Sequence, residues 1–142
     1  MSVMSRTVLV DAGVLVALLD RKDPEHARVV VVGQRLSRRP LLTTWPCLTE
    51  AMYLLYQTCG HSAQDALWGL LAKGYLQAHD LSSAEQQRMR ELMTKYADTP
   101  MDLADASLVV VAESLGLRQV FTLDDDFYLY RLADGATLEV IP

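Results

Sequence analysis

Two acidic residues follow segments that read as short buried strands, where a parallel sheet would bring their side chains together. Asp11 comes directly after the β-branched apolar run at residues 7–10. Asp124 lies two residues past a second such run, residues 119–122. The carboxyl ends of parallel strands meet at one edge of a sheet, where ligands bind in such folds. We therefore expect both carboxylates to open on the same edge.

Three further acids are predicted at that edge. Glu50 lies on a helix that follows the strand at residues 41–44, whereas Asp102 and Asp105 share one face of the first turns of another helix. Burying like charges together is costly, and a hard divalent cation removes the cost. Carboxylates suit Mg²⁺ or Mn²⁺, ions that activate water and bind phosphodiesters. The five acids therefore predict a metal site.

Each acid also has a purely structural interpretation, which the sequence leaves open. Asp11 could cap the helix predicted at residues 14–19. Glu50 could be a solvated helix acid, and Asp102 could favour the positive end of its helix. Residues 124–126 form an acidic run, of which one or two would face the site and the rest would be solvated.

The charge balance bears on the class of ligand. The chain has 13 basic against 18 acidic residues, a formal net charge of −5. That balance argues against binding nucleic acid through a basic footprint alone. Two divalent cations would offset most of the excess, so a site that repels RNA without metal could bind it with metal.

The sequence lacks the residue patterns that other common catalytic and cofactor-binding sites require. The histidines are scattered, without a ligand-like partner three or four positions away, and are expected at the surface. The two cysteines, Cys47 and Cys59, are expected to be free thiols. The sequence contains no Gly-x-Ser-x-Gly elbow, phosphate-binding glycine loop or dinucleotide fingerprint.

Length and hydropathy predict one domain over residues 1–142. The chain has 142 residues, of which 51% are hydrophobic and 22% charged, as in globular proteins. Its longest apolar run, residues 108–112, is far shorter than the ~20 residues that span a bilayer. The first residues lack the apolar stretch of a signal peptide, so we expect no membrane association and a cytoplasmic location.

Strands and helices alternate along the chain, which predicts an α/β fold with a central, mostly parallel sheet of four or five strands flanked by helices. The predicted strands are 7–10, 41–44, 119–122 and 138–141, with 76–79 a strand or an extended link. The predicted helices are 14–19, 23–37, 47–60, 62–73, 82–96 and 101–115, followed by a helical turn at 124–131. The residues expected in the core are Val8, Val10, Leu15, Leu18, Leu54, Leu108, Val111 and Val120.

Four motifs in order along nearly the whole chain resemble the PIN-domain ribonucleases, particularly the VapC-type toxins of toxin–antitoxin pairs. The first is Val8-Leu9-Val10-Asp11 with the apolar stretch to Asp20, and the second runs from Leu42 through Leu48-Thr49-Glu50-Ala51. The third is Met101-Asp102-Leu103-Ala104-Asp105-Ala106-Ser107-Leu108, and the fourth is Phe121-Thr122-Leu123-Asp124 through Phe127.

The resemblance implies a PIN-like three-layer fold and a Mg²⁺- or Mn²⁺-dependent endoribonuclease. Asp11, Glu50, Asp105 and Asp124 match the acidic quartet of the family; of these Asp11 and Asp105 would bind the principal metal, with Asp124 nearby. Glu50 would complete the cluster directly or through water, and Asp102 and Asp126 are possible extra ligands. Cleavage would leave a 5′-phosphate and a 3′-hydroxyl.

One position departs from the family pattern. The family commonly has a hydroxyl residue after the first Asp, whereas this chain has Ala12-Gly13. A hydrogen bond that supports the metal ligand would then be missing. Thr122 is present and could compensate in part.

The resemblance also implies an antitoxin protein as partner and a homodimer. The helices after Glu50 carry more large apolar residues than one buried stripe needs, and Tyr53, Tyr56 and Trp68 are candidates for such an interface. Packing in the core would explain the same residues.

Three alternative functions have acidic residues at comparable positions. A phosphatase of the haloacid-dehalogenase type needs an Asp at the position of Gly13, and a phospho-receiver domain needs a late lysine, but none follows Lys95. The stronger alternative is a non-catalytic PIN-like interaction module. The intact acidic quartet favours the enzyme.

Overall fold

A wholly parallel five-stranded sheet forms the centre of the molecule. The computed structural model describes residues 6–141, and it confirms the predicted α/β fold. The strands are β1 (Val8–Val10), β2 (Leu41–Thr44), β3 (Gln77–His79), β4 (Gln119–Phe121) and β5 (Glu139–Ile141). Their order in the sheet is β3-β2-β1-β4-β5, and every neighbouring pair is parallel.

Six α-helices connect and flank these strands within residues 6–141. They are α1 (Ala12–Leu19), α2 (His26–Arg35), α3 (Trp45–Cys59), α4 (His61–Ala72), α5 (Ser83–Lys95) and α6 (Leu103–Leu115). A 3-10 helix at Asp125–Tyr128 replaces the longer helical turn predicted there. The extension of one domain over residues 1–142 stays a prediction.

The strand order places a crevice beside β1. The chain adds β2 and β3 on one side of β1, then crosses to the other side to form β4 and β5. Where the strand order changes direction in this way, the connections that follow the two neighbouring strands run to opposite sides of the sheet. This leaves a crevice for a ligand at the carboxyl ends of the two strands. Here the backbone N–H of Asp11 donates to the carbonyl oxygen of Phe121 at 3.0 Å and ties the two strand ends together.

The helix starts follow from local capping. Thr44 caps α3 by accepting from the N–H of Cys47, and Pro46 occupies the first turn, where its missing N–H costs nothing. Trp45-Pro46 therefore begins α3, rather than preceding a helix that starts at residue 47. A capping box begins α5, since the Ser82 hydroxyl accepts from Glu85 N–H and the Glu85 carboxylate accepts from Ser82 N–H.

The core lies between the sheet and its helices, and it contains six of the eight residues predicted for it, including Val8, Leu108 and Val120. Leu18 is only partly buried against it. Leu54 was wrongly assigned: it is 36% exposed, because Ala51 and Leu55 set the buried face of α3.

Cys47 and Cys59 are free thiols, as expected, and Cys47 is buried. Among residues 6–141 we find no helix with both the length and the apolar character needed to cross a membrane.

Candidate metal centre

Three carboxylates meet at the carboxyl ends of β1 and β4 and the start of α6. Asp11, Asp105 and Asp124 each offer an oxygen that lies within 4.8 Å of the others'. Asp11 precedes Asp105 by 94 residues and Asp124 by 113, so only the fold brings the three together. The expectation that Asp11 and Asp124 open on the same edge of the sheet is confirmed. All three donors are hard oxygen ligands, a set that fits Mg²⁺ or Mn²⁺ better than a softer metal.

The cluster forms one side of an open cleft of about 240 Å³. Glu50 and Asp102 line the same cleft, so the structure brings all five predicted acids to one place. Glu50 and Asp102 are exposed at its rim, whereas Asp11 and Asp105 are buried. The full lining is Asp11, Gly13, Glu50, Asp102, Asp105, Leu123 and Asp124.

The orientation of Asp11 is fixed by two hydrogen bonds. Its Oδ1 accepts from the N–H of Ala12 at 2.7 Å, which makes Asp11 the N-cap of α1. Its Oδ2 accepts from the hydroxyl of Thr122 at 2.7 Å. A carboxylate has about four lone pairs, so both bonds leave acceptor capacity toward the cleft. Asp11 therefore both caps α1 and belongs to the carboxylate cluster.

Thr122 joins two members of the cluster. Besides donating to Asp11, its Oγ1 accepts from the backbone N–H of Asp124 at 3.0 Å. Asp124 in turn caps the 3-10 helix, since its Oδ1 accepts from the N–H of Asp126 at 2.9 Å. Thr122, the residue directly after β4, thus supplies the kind of hydroxyl support that Ala12 lacks.

Asp105 is oriented by hydrogen bonds with residues other than those that hold Asp11 and Asp124. The hydroxyl of Tyr130 donates to its Oδ2 at 2.9 Å, and both residues are buried. Asp102 is the N-cap of α6, and its Oδ1 accepts from the N–H of Asp105 at 2.8 Å. Asp102 thus has the structural role that its position suggested, and it still lines the cleft.

The cluster has the electrostatics of carboxylates that lack a counter-charge. Burial, followed by the charge of Asp102, raises the pKa of Asp105 to about 7. Burial is also the main cause that raises the pKa of Asp11, which hydrogen bonds from Thr122 and Ala12 partly offset. Burial and neighbouring carboxylates raise the pKa values of Asp124 and Glu50. A bound cation would stabilise the charged forms that the site otherwise disfavours.

The acidic run after β4 divides as predicted into residues inside and outside the site. Asp124 belongs to the cluster, and Asp125 is exposed. Asp126 does not line the cleft, and its backbone N–H serves the cap of Asp124. The structure therefore gives no support to Asp126 as an extra ligand.

The sequence interpretation missed two residues that contact the cluster. Tyr130 is one, and no local spacing links it to Asp105. The other is Cys47, whose Sγ lies 3.9 Å from Oδ1 of Asp11. Burial and the charge of Asp11 raise the pKa of the Cys47 thiol to about 12, so it stays protonated and is no nucleophile.

Comparison with known proteins matches this chain to one family. The family profile described as the PIN domain matches residues 8–133. The chain is 30% identical over 136 residues to "Ribonuclease VapC26" of Mycobacterium tuberculosis (strain ATCC 25618 / H37Rv), a match that covers 95% of this chain and 100% of that protein.

Solved structures share the fold. The crystal structure of Mycobacterium tuberculosis VapC20, described as a sarcin-ricin loop cleaving toxin, matches with a TM-score of 0.78 and 20% identity over 86% of this chain and 93% of that one. VapBC2 from Rickettsia felis, bound to a promoter DNA fragment, matches with a TM-score of 0.66 and 14% identity over 94% and 98% of the two chains. DNA-bound VapBC from Salmonella typhimurium matches with a TM-score of 0.66 and 17% identity over 94% and 97%.

Proposed function

Because the chain belongs to the PIN domain family, we propose that it is a Mg²⁺- or Mn²⁺-dependent endoribonuclease that acts as the toxin of a toxin–antitoxin pair. One observation carries the proposal: Asp11, Asp105 and Asp124 present hard oxygen ligands to one point of an open cleft. The match to a ribonuclease over that protein's whole length supports the substrate class.

The carboxylates of the cluster would hold the cation. Asp11, Asp105 and Asp124 are the proposed ligands, with Asp102 as an extra ligand and Glu50 completing the site directly or through water. When bound, a divalent cation lowers the pKa of water and offsets the charge of a phosphodiester. Thr122 and Tyr130 keep two of the ligands in one orientation through the hydrogen bonds to Asp11 and Asp105.

The rim carboxylate of Glu50 is the proposed proton acceptor. The residue is largely exposed and lines the cleft, and the partial burial of its carboxylate, together with the charge of Asp102, raises its pKa. It can therefore accept a proton from the water whose oxygen bonds to phosphorus, while the bond between phosphorus and the 3′ oxygen breaks and that oxygen takes up a proton from solvent. The products would carry a 5′-phosphate and a 3′-hydroxyl.

The partners follow from the same proposal. The titles of the Rickettsia felis and Salmonella typhimurium structures describe VapBC complexes, which supports an antitoxin partner for this chain. A homodimer is also proposed, and Tyr56 and Trp68, at 60% and 51% exposure, provide large apolar surface for a protein interface. The proposed place of action is the cytoplasm, where RNA substrates are present.

A cleavage assay with paired variants tests the proposal. A mixed RNA substrate is incubated with Mg²⁺, Mn²⁺ or EDTA. We expect Asp11→Asn and Asp105→Asn to lose activity by about 100-fold or more while remaining folded, because each keeps its volume and loses the charge that holds the cation. Asp125→Ala, in the exposed part of the acidic run, is the matched control and should cleave like the wild type.

Two results would contradict the proposal. The first is equal activity in EDTA, and the second is an Asp105→Asn protein that cleaves like the wild type. A wild-type protein that cleaves no RNA with either cation would instead favour the non-catalytic interaction module.

A further inference from the structure

Tyr130, which donates a hydrogen bond to Asp105, lies in a part of the chain without regular structure. It follows the 3-10 helix at Asp125–Tyr128, and the chain forms no helix or strand from there until β5 begins at Glu139. A segment of this kind is held less firmly by its own backbone than a helix or a strand is. The position of the Tyr130 hydroxyl therefore depends on the side chains packed around it.

Two aromatic rings enclose Tyr130. The ring centroid of Tyr96 lies 5.1 Å from that of Tyr130 at an interplanar angle of 68°, and the centroid of Phe127 lies 5.3 Å away at 81°. Both pairs are edge-to-face, an arrangement that aromatic rings prefer. Tyr130 is only 2% exposed, so the neighbouring rings limit how far it can turn.

Tyr96 also holds the backbone beside Tyr130. Its hydroxyl oxygen accepts from the N–H of Arg131 at 2.7 Å, and this N–H belongs to the peptide bond that follows Tyr130. Tyr96 thus makes two contacts at Tyr130, one to the ring and one to the adjoining peptide. Together they fix the side chain and the main chain of the residue that donates to Asp105.

Tyr96 is itself part of a firmly held helix pair. It is the C-cap of α5, and its N–H donates to the carbonyl oxygen of Leu92 at 2.9 Å. The guanidinium of Arg88 ties α5 to α6, because it donates to both carboxylate oxygens of Glu113 at 2.9 and 3.1 Å. α6 also carries Asp105, so Tyr96 and this carboxylate belong to the same pair of helices.

We propose that Tyr96 is a positioning residue of the metal centre: it holds the Tyr130 hydroxyl against Oδ2 of Asp105 and so keeps that carboxylate in the orientation that binds the cation. Tyr96 does not line the cleft, and its effect is transmitted by Tyr130. The inference rests on the proposed function, because the role exists only if the cluster binds a cation. Groups that support a metal ligand typically change metal affinity by about 10–100-fold. Tyr96 stands one residue farther from the ligand, so we expect an effect at the lower end.

Mn²⁺ affinity, measured by isothermal titration calorimetry on the full chain, tests this role without any RNA. Tyr96→Leu removes the ring and the hydroxyl together and should weaken Mn²⁺ binding about 10-fold. Tyr96→Phe keeps the ring against Tyr130 and should bind Mn²⁺ about threefold more tightly than Tyr96→Leu. The phenylalanine variant also guards against a leucine variant that fails to fold.

A double-mutant cycle shows whether Tyr96 acts through Tyr130. In a protein that already carries Tyr130→Phe, the hydroxyl that Tyr96 positions is absent. Adding Tyr96→Leu should then change Mn²⁺ affinity by less than about twofold, whereas the same change in the wild type costs about 10-fold. A residue that contributed only to stability would not show this dependence on Tyr130.

Leu67→Ala is the control that separates lost stability from lost positioning. Leu67 is fully buried on α4, a helix that gives no residue to the cleft. Its truncation leaves a cavity, so the midpoint of urea unfolding in EDTA should fall, as it should in Tyr96→Leu. The Mn²⁺ affinity of Leu67→Ala should nevertheless stay within about twofold of the wild type.

The outcomes distinguish this role from the ribonuclease itself. If Tyr96→Leu binds Mn²⁺ as tightly as the wild type, the role is overturned, even where the wild type cleaves RNA. An equal loss of affinity with and without the Tyr130 hydroxyl, or an equal loss in Leu67→Ala, overturns it as well. Mn²⁺ affinity that depends on Tyr96 through Tyr130, in a protein that cleaves no RNA, supports the role and rejects the ribonuclease.

Discussion

Replacing Thr122 by Val should weaken cation binding without removing any carboxylate. Thr122 is 2% exposed, and Val has nearly its shape, so the change removes mainly the hydroxyl. Two bonds are lost, the donation to Oδ2 of Asp11 at 2.7 Å and the acceptance from Asp124 N–H at 3.0 Å. A hydrogen bond to a charged group contributes about 1.5–3 kcal/mol, and the orphaned N–H adds about 1 kcal/mol. We expect a loss of about 2–4 kcal/mol in the free energy of unfolding.

The same substitution should lower cation affinity, because Asp11 would no longer be held toward the cleft. Loss of a group that supports a metal ligand typically costs about 10–100-fold in affinity. Mn²⁺ affinity is measured by isothermal titration calorimetry, and stability is measured by urea unfolding in EDTA. Thr43→Val is the matched control: Thr43 is fully buried, and its Oγ1 donates at 2.8 Å to the carbonyl oxygen of Val10 rather than to a carboxylate.

The control should lose about 1 kcal/mol of stability and keep its Mn²⁺ affinity. If Thr122→Val binds Mn²⁺ within twofold of the wild type, Thr122 does not support the site. An equal loss of affinity in Thr43→Val would show that the effect is general to buried threonines, and it would refute the reasoning as well.

Three further outcomes follow from the structure. In EDTA, the free energy of unfolding should fall by about 2 kcal/mol between pH 5 and pH 8. The Asp105 carboxyl, whose pKa is raised to about 7 in the folded protein, stabilises the fold at low pH and loses that contribution as pH rises. Urea unfolding of Asp105→Asn should show a much smaller change, and the variant should be the more stable protein at pH 8. Tyr130→Phe removes the donor to Oδ2 of Asp105 and should weaken Mn²⁺ binding about 10-fold in calorimetry, whereas Tyr128→Phe, at an exposed ring, should not. Leu55→Ala should cost about 3 kcal/mol in urea unfolding, and Leu54→Ala less than about 1 kcal/mol, because only Leu55 is fully buried.

The strand ends and their acids could be predicted from the sequence because both depend on local patterns. Short β-branched runs identify β1 and β4, and the rule for parallel sheets then places Asp11 and Asp124 on one edge. Asp102 and Asp105 share one face of the first turns of a helix, which their spacing shows directly. None of these features depends on which helix packs on which.

Features that depend on helix phase or on distant contacts were not accessible in this way. Leu54 and Leu55 are both leucines, and only the packing of α3 decides which of them faces the core. Trp45-Pro46 is compatible with the end of a strand and with the first turn of a helix, and the cap from Thr44 decides for the helix.

Contacts between distant residues also lack a local signal. Tyr130 reaches Asp105 across 25 residues of chain.

The most direct measurement follows Mn²⁺ occupancy and RNA cleavage on the same protein. Calorimetry gives the Mn²⁺ concentration at half-occupancy, and a cleavage assay in the same buffer gives the concentration at half-maximal rate. If Asp11, Asp105 and Asp124 hold the cation that cleavage requires, the two concentrations agree in the wild type, Asp125→Ala retains both, and Asp105→Asn loses both together. Cleavage that reaches its full rate before Mn²⁺ binds, or that persists in Asp105→Asn after binding is lost, would contradict the account.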